Sequence, residues 1–310
     1  MDQFPMADAH CDFLYYMVTE GCDIGTLTPP QVIYLPYLQR GGVAMQFFAV
    51  WIDTDMRMSY VQQCLDMIDA YYVMHDRHPE LTPFSKGFDP ASGKIATVLT
   101  IEGGEAIEGR IENLRNYYRL GVRAMSLTWN ETNELAAPAM RRDNKGLTKL
   151  GRRVIREMCD IGMAVDVAHL SDAGIEDVLE IATRPIFASH SNARAVCEHK
   201  RSLPDYLIKS IADQGGVIGI NFYHKQLCSG RSARISDIAD HIMHVVEVGG
   251  IQAAAIGSDF NGMVIYPEDM PNSSYLPSLA AELISRGLTP EQVRMVTYEN
   301  LANYIGQFYE

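Results

Sequence analysis

The sequence Phe4-Pro5-Met6-Ala7-Asp8-Ala9-His10-Cys11-Asp12 passes from a short apolar run to side chains that can bind a metal ion. Read as a β-strand, it places His10 and Asp12 on one face, because successive side chains alternate between the two faces of a strand. An imidazole and a carboxylate in this arrangement can bind one divalent cation. The pattern alone is more often a buried, hydrogen-bonded histidine beside a helix-capping aspartate, so its meaning depends on how the other strands end.

Similar apolar runs recur along the chain and alternate with longer segments of helical periodicity. Eight runs are predicted as strands, at residues 6–11, 43–51, 95–101, 123–129, 164–168, 185–189, 216–222 and 253–257. Most are continuously apolar, as expected of parallel strands buried on both faces. Helices are predicted at 60–78, 111–120, 148–161, 171–182, 204–214 and 236–248, and three more follow the last strand at 276–286, 290–297 and 299–304.

Strand–helix alternation repeated eight times predicts a (β/α)8 barrel of the TIM type with extra C-terminal helices. A doubly wound open sheet with a small cap is the alternative. A barrel gathers catalytic side chains at the ends of many strands, whereas an open sheet concentrates them at one crevice. Here the polar residues are spread over many strands and no linker is visible, so we expect one barrel domain over residues 1–310. The segment 131–145 is either a lid over the site or an ordinary connecting loop.

Composition restricts the classes of partner and the compartment. The 310 residues are 47% hydrophobic and 21% charged, which suits a large core and shows no signature of disorder. A net charge of -13 without a basic stripe argues against nucleic acid and anionic membranes as partners. The first five residues lack the features of a signal peptide, and no apolar run reaches the ~20 residues that span a bilayer. We therefore expect a cytoplasmic protein whose six cysteines are reduced.

Ionisable side chains that can bind metals follow five of the predicted strands. They are His10, Asp12, Glu102, His169, His190 and Asp259. Each alone has a structural interpretation, such as a packed histidine or a turn-forming aspartate. Together they are hard to explain by packing, because burying an unpaired ionisable group costs on the order of several kcal/mol. Divalent cations would pair them, and the number of ligands suits two zinc ions with Glu102 between them. Two such ions can hold a bridging hydroxide and polarise a carbonyl group.

With these residues in view, the chain resembles the membrane (renal) dipeptidase family of zinc peptidases, within the amidohydrolase superfamily. The resemblance rests on the order and spacing of segments that run nearly end to end. They are Asp8-Ala9-His10-Cys11-Asp12, Ile101-Glu102-Gly103-Gly104, Leu127-Thr128-Trp129-Asn130, Asp166-Val167-Ala168-His169-Leu170-Ser171, Ser189-His190-Ser191-Asn192-Ala193, Arg201-Ser202-Leu203-Pro204-Asp205, Asn221-Phe222-Tyr223 and Ile256-Gly257-Ser258-Asp259-Phe260-Asn261-Gly262.

The resemblance implies a role for each residue of the site. His10 and Asp12 would bind the first zinc ion, His169 and His190 the second, and Glu102 would bridge both. Arg201 would pair with the terminal carboxylate of the substrate, which suits a bidentate guanidinium. Asp259 would move a proton from the bridging water to the leaving amine. Tyr223 would line the pocket.

The implied reaction is hydrolysis of a dipeptide, with tolerance of a D-residue at the C-terminal position, by attack of a hydroxide that bridges the metals. A homodimer is also expected from the family. The alternatives are an amidohydrolase of other specificity, acting on N-acyl-amino acids, lactams or lactones, and a non-catalytic homologue that binds a metal or a partner. Arg201 separates the first two, because its removal should affect only substrates with a free carboxylate. The intact ligand set and Asp259 count against the third.

One residue departs from the resemblance. Many members of the family carry a histidine, thought to stabilise the oxyanion, where this chain has Trp129. An indole offers one N–H donor and no change of charge. Trp129 either substitutes for that histidine, leaves the stabilisation to the metals, accompanies other substrates or is a hydrophobic wall. Asn130 and Asn133 are possible compensating donors. Cys197 and Cys228 lie near positions that are disulfide-bonded in secreted relatives, and we expect free thiols here.

Overall fold

The computed structural model describes residues 4–142 and 144–309. Residues 1–3, which belong to the segment used for the signal-peptide expectation, lie outside the described residues. So do Asp143, within the predicted loop 131–145, and Glu310, within the predicted domain. In the two described ranges, no helix combines the length and apolar character needed to cross a membrane.

In the described residues, eight parallel strands form one curved sheet, with the order β6-β5-β4-β2-β1-β8-β7 and with β3 beside β4. The strands are β1 (Met6–Asp8), β2 (Val43–Trp51), β3 (Leu81–Pro83), β4 (Ile95–Glu102), β5 (Val122–Ser126), β6 (Ala164–Asp166), β7 (Ile218–Ile220) and β8 (Ala254–Ile256). The predicted α/β class with a parallel sheet is confirmed. The short β3 was not predicted, because three residues that end in proline give no periodic signal.

The sixth predicted strand, at 185–189, is not a regular strand. Phe187 instead forms a parallel bridge with Asp166, and Ala188 forms one with Ile218. The Phe187 N–H donates to the carbonyl of Val165 at 3.1 Å, and the Ala188 N–H donates to the carbonyl of Val217 at 3.0 Å. This segment therefore links β6 and β7, which are the two ends of the strand order.

Helices follow most of the strands. They are α1 (Phe13–Glu20), α2 (Leu35–Arg40), α3 (Tyr60–Arg77), α4 (Ile111–Arg119), α5 (Lys149–Ile161), α6 (Asp172–Ile181), α7 (Asp205–Asp213), α8 (His224–Leu227), α9 (Ile235–Gly249), α10 (Leu276–Ser285), α11 (Pro290–Arg294) and α12 (Asn300–Gly306). Short 3-10 turns lie at Gly104–Ile107, Ile251–Ala253 and Ser273–Tyr275, and a π-helical turn at Met295–Glu299 joins α11 to α12. The side chains of Ser59, Thr148 and Ser171 cap α3, α5 and α6, which explains where these helices begin.

Aromatic side chains pack between the sheet and the C-terminal helix α12. The ring of Phe187 lies 6.4 Å from that of Phe47 and 5.0 Å from that of Tyr304 in α12. The Tyr304 hydroxyl donates to the carbonyl of Pro185 at 3.0 Å. This packing holds the segment 185–189 against α12. The polar residues that follow the segment are therefore held at the carboxyl ends of the strands.

Candidate active site

The carboxyl ends of the strands bring the six predicted metal-binding and proton-transfer residues into one cluster. Glu102 ends β4, and the other five follow β1, β6, β8 and the bridging segment: His10, Asp12, His169, His190 and Asp259. All except Asp259 are buried, and Asp259 is partly exposed. Residues separated by more than 240 positions therefore meet because parallel strands end at the same edge of the sheet.

Glu102 lies in the middle of this cluster. Its Oε2 atom is 3.4 Å from His10 Nε2, and its Oε1 atom is 2.9 Å from His169 Nε2 and 3.5 Å from His190 Nε2. His10 Nε2 also lies 3.4 Å from Asp12 Oδ2. The two oxygens of one carboxylate thus face different histidines, which is the arrangement needed for a ligand that bridges two metal ions.

Hydrogen bonds fix which ring nitrogens face the centre. His169 Nδ1 lies 3.0 Å from Asn130 Oδ1, an atom that can only accept, so Nδ1 carries the hydrogen and Nε2 has a free lone pair. His190 Nδ1 lies 2.8 Å from Ser189 Oγ, and Ser189 in turn bonds to the Asp166 carboxylate. A serine hydroxyl that donates to Asp166 accepts from His190 Nδ1. Both Nε2 atoms, 2.9 Å apart, are then unprotonated and directed at the same space.

The cluster fits divalent cations. His10 Nε2 and Asp12 Oδ1 are buried without a hydrogen-bond partner, which costs on the order of 1–3 kcal/mol for each such group. The ligand atoms of His10, Glu102 and His190, and likewise those of His10, Asp12 and Asp259, lie within 4.8 Å of one another. Imidazole nitrogens and carboxylate oxygens are ligands that zinc accepts. Two cations would satisfy the unpaired atoms and separate the facing lone pairs.

The electrostatic state of the cluster without metal agrees with this reading. Burial opposes the charged form of His10, but Asp12 and Glu102 raise its pKa well above the ordinary value. Burial also opposes ionisation of Glu102, yet His10 and His169 hold its pKa well below the usual range. Burial lowers the pKa of His169 to about 4 and also lowers that of His190. Two neutral imidazoles beside an ionised carboxylate are in the protonation states that a metal requires.

Two residues of the cluster have strained backbones. His169 and Asp259 adopt φ angles of 69° and 64°, in the left-handed region that disfavours side chains with a Cβ. Each such residue costs about 1–3 kcal/mol and persists only where its surroundings hold it. The Ala139 N–H donates to the carbonyl of His169 at 2.7 Å, and the Asp259 N–H donates to the carbonyl of His10 at 3.3 Å. These bonds tie the strained segments to neighbouring loops.

A cavity of about 760 Å³ opens beside the cluster and is lined by all four predicted substrate-binding residues, namely Trp129, Asn130, Arg201 and Tyr223. Arg201 is only 5% exposed and donates from Nη2 to the carbonyl of His190 at 3.2 Å. Burial lowers its pKa to about 10, so it remains a cation at neutral pH. The remaining guanidinium donors are available to a ligand.

Trp129 is part of an aromatic wall. Its ring lies 5.1 Å from that of Trp51 in an edge-to-face arrangement and 6.4 Å from the His169 ring. Asn130 uses its amide oxygen on His169. Asn133 donates from its amide nitrogen to the carbonyl of Leu127, and its oxygen accepts from the backbone of Leu135 and Ala136. These bonds stabilise the loop, and the suggestion that Asn133 is a compensating donor stays a prediction.

The loop 131–145 packs against the segment that carries His169. In its described part, the backbone of Pro138 bridges to Leu170, and Met140 lines the cavity. The Lys200 ammonium donates to the carbonyl of Met140 at 3.2 Å. The loop thus lines part of the cavity. It is neither a lid across the whole site nor a connecting loop remote from it.

Several residues of the site were not predicted. Trp51 ends β2 and lines the cavity, so its place at a strand end was the signal that could have identified it. Asn221 follows β7 and donates from Nδ2 to Asp259 Oδ2 at 3.0 Å. His199 lines the cavity beside Arg201. The thiols of Cys197 and Cys228 are both free.

A parallel sheet whose carboxyl ends gather buried histidines and carboxylates beside a cavity defines a metal-dependent hydrolase. The sequence profile of the membrane dipeptidase family, peptidase family M19, matches residues 1–308, and the chain belongs to that family. It is therefore a metal-dependent enzyme that hydrolyses dipeptides, and the expected class of enzyme is confirmed.

Relatives agree with this assignment, and solved structures share the fold. Dipeptidase aclJ of Aspergillus oryzae is 30% identical over 332 residues, covering 99% of this chain and 78% of that protein. Human Dipeptidase 3 is 29% identical over 322 residues, and the chain spans 66% of its length while 99% of the chain is covered. A metallopeptidase from Rhodobacter sphaeroides, liganded with a phosphinate mimic of the dipeptide L-Ala-D-Ala, shares the fold with a TM-score of 0.91 at 23% identity, covering 99% of this chain and 100% of that one.

Proposed function

We propose that the enzyme binds two zinc ions per chain and hydrolyses dipeptides, including those with a D-residue at the C-terminal position. The observation that carries the proposal is the buried cluster of histidines and carboxylates, in which His10 Nε2 and Asp12 Oδ1 lack hydrogen-bond partners. His10 and Asp12 would hold one zinc ion, His169 and His190 would hold the other, and Glu102 would serve both. The peptide mimic held by the Rhodobacter sphaeroides protein supports a small substrate with a D-residue.

The zinc ions, when bound, polarise the substrate carbonyl and lower the pKa of water at the site. Arg201 binds the terminal carboxylate of the dipeptide through its free guanidinium donors. Trp129 and Tyr223 enclose the substrate, and Asn130 keeps His169 in the tautomer that presents Nε2. Together these residues orient the scissile bond and exclude water from the cavity.

Asp259 transfers the proton. Asn221 donates to its Oδ2 atom at 3.0 Å, which leaves Oδ1, 3.9 Å from His10 Nε2, directed at the cluster. Oδ1 accepts a proton from the attacking water and passes it to the leaving amine nitrogen. In the chain without metal, burial, with Asp12 and Glu102, raises the pKa of Asp259 to about 8. Cations in the cluster favour the carboxylate, which is the form that acts as a base.

The proposal extends to the fold, the assembly and the location of the protein. The bridges from Phe187 to Asp166 and from Ala188 to Ile218 support the proposal that the sheet is a closed (β/α)8 barrel and that residues 1–310 are one hydrolase domain. A homodimer and a cytoplasmic location stay predictions from the sequence, and sedimentation analysis of the purified chain measures the first.

The test combines metal analysis with a substrate panel. We expect about two zinc ions per chain by plasma emission analysis, hydrolysis of L–L and L–D dipeptides, loss of activity on chelation and recovery on zinc addition. His190→Ala should abolish activity and lower the zinc content, whereas His244→Ala, which changes a histidine paired with Asp205 on the helices, should not. Hydrolysis of N-acyl-amino acids, lactams or lactones in preference to every dipeptide would contradict the proposal.

A further inference from the structure

The cavity is lined by groups of different chemistry. Tyr15, Trp51 and Trp129 contribute aromatic rings. Two cations, Arg201 and Lys225, and two imidazoles, His199 and His224, also line it, as do the carboxylates of Asp12, Glu102 and Asp259 in the cluster. In the proposed function these carboxylates are engaged at the metal centre, so Arg201 and Lys225 are the charges left to attract an anionic substrate.

His199 presents a defined donor to this cavity. The Arg201 backbone N–H donates to His199 Nδ1 at 3.1 Å, so this nitrogen accepts and the ring hydrogen lies on Nε2. Burial, followed by the charges of Arg201, Lys225 and Lys200, lowers the pKa of His199, which keeps the ring neutral. Across residues 4–142 and 144–309, no protein acceptor is found for His199 Nε2.

Lys225 adds a full positive charge at the rim. Its side chain is exposed, and within the described part of the chain no carboxylate pairs with its ammonium group. By contrast, Lys209 pairs with Asp213, and Arg286 pairs with Asp240. A hydrogen-bond donor and a cation are thus left free beside Arg201, whose own guanidinium is committed to the terminal carboxylate in the proposed mode of binding.

We propose that the preferred substrates are dipeptides whose C-terminal residue is aspartate or glutamate, with His199 and Lys225 binding the side-chain carboxylate. This inference rests on the dipeptide hydrolysis proposed above. The neutral imidazole donates a hydrogen bond to the second carboxylate, and the ammonium group supplies the opposite charge. Lys225 would instead repel a lysine at the C-terminal position of the substrate, because both side chains are positively charged. Basic substrates are therefore disfavoured.

The test compares Ala–Glu, Ala–Gln and Ala–Lys, each with an L- or a D-residue at the C-terminus. On the zinc-loaded enzyme we expect kcat/KM for Ala–Glu to exceed that for Ala–Gln, its neutral isostere, by about tenfold. Lys225→Glu should reverse the order of Ala–Glu and Ala–Lys. The control Lys94→Glu makes the same change of charge before β4, at the opposite end of the sheet from the site, and should leave the order unchanged.

A second measurement does not depend on catalysis. Calorimetry on the zinc-loaded Asp259→Asn enzyme, which is too slow to consume the ligand during the measurement, should show tighter binding of Ala–Glu than of Ala–Gln, and adding His199→Phe should weaken the binding of Ala–Glu selectively. Equal kcat/KM and equal affinity for the two dipeptides, within twofold, would overturn the inference while leaving dipeptide hydrolysis intact. Failure of the zinc-loaded enzyme to cleave any dipeptide would contradict the proposed function instead, and the binding ratio would still decide the inference.

Discussion

A single methyl group placed at Gly262 should inactivate the enzyme without unfolding it. A Cβ at this position would lie 3.1 Å from Asp259 Cγ, and closer still to the Asp259 Oδ1 and Asp12 Oδ2 atoms that face it. Carbon atoms in contact prefer about 3.5–4.0 Å, so the Asp259 carboxyl group must move by about 0.5–1 Å. Gly262 is not among the glycines with a positive φ, so alanine meets no backbone strain there.

The loss of activity follows from that displacement. Moving a reacting group by about 1 Å can cost about 100-fold in rate, and here the same methyl group also displaces the predicted zinc ligand Asp12. We therefore expect Gly262→Ala to lower kcat/KM for a dipeptide at least about 100-fold and to reduce the zinc content. Overpacking costs about 1–3 kcal/mol, which a domain of this size tolerates as a modest fall in Tm.

The assay measures steady-state kinetics, zinc content and thermal unfolding on the same preparations. Gly306→Ala is the matched control, because a Cβ at Gly306 in α12 would meet nothing within 4 Å. It should retain the wild-type values. A Gly262→Ala enzyme that keeps two zinc ions and a kcat/KM within threefold of wild type would refute the placement of Asp12 and Asp259 at one reaction centre.

Three further predictions concern proton transfer, substrate binding and metal affinity. Asp259→Asn should lower kcat about 100- to 10,000-fold with zinc retained, because an amide cannot accept the proton; zinc analysis beside kinetics checks this. Arg201→Met should raise KM about 10- to 100-fold for free dipeptides and much less for dipeptide amides. Zinc binding near neutral pH should release protons and weaken as the pH falls, because the raised pKa of His10 keeps its ring protonated until the metal displaces the proton. Calorimetry in buffers of different ionisation enthalpy measures the release, and an affinity independent of pH would contradict it.

Local sequence signals were sufficient to predict the strand ends that carry residues of the site. The predicted strand at 43–51 matches β2, and Glu102 ends β4 one residue beyond the predicted boundary. Continuous apolar runs mark buried parallel strands wherever they occur, and a serine or threonine before a helical period marks where a helix begins. The ionisable residues that follow the strands were then assigned to one edge by topology alone.

Other parts of the structure depend on contacts that are distant in sequence. The bridging segment at Phe187 and Ala188 pairs through single bridges, and its register is set by packing on Tyr304, 117 positions from Phe187. Asn221 acts on Asp259 across 38 positions, and a neutral amide after a strand has no distinctive chemistry in a sequence. His199 became interpretable only when the Arg201 backbone fixed its tautomer.

The geometry of the cluster is maintained by carboxylates that do not face it. Asp8 accepts hydrogen bonds from the Ser258 hydroxyl at 2.5 Å and from the Ser258 N–H at 2.8 Å, which joins the ends of β1 and β8. Asp166 likewise accepts from the Ser189 N–H at 2.9 Å, and Ser189 in turn positions His190. Burial raises the pKa of both aspartates, and their serine partners oppose that rise.

Each of these buried pairs connects neighbouring strands directly beneath a predicted ligand. The hydrogen bonds orient the segments that carry His10 and His190, which is the role that supporting contacts have around a metal site. The strained φ angles at His169 and Asp259 are maintained by the same kind of neighbouring contact. The six side chains therefore converge through hydrogen bonds between strand ends as well as through the order of the strands in the sheet.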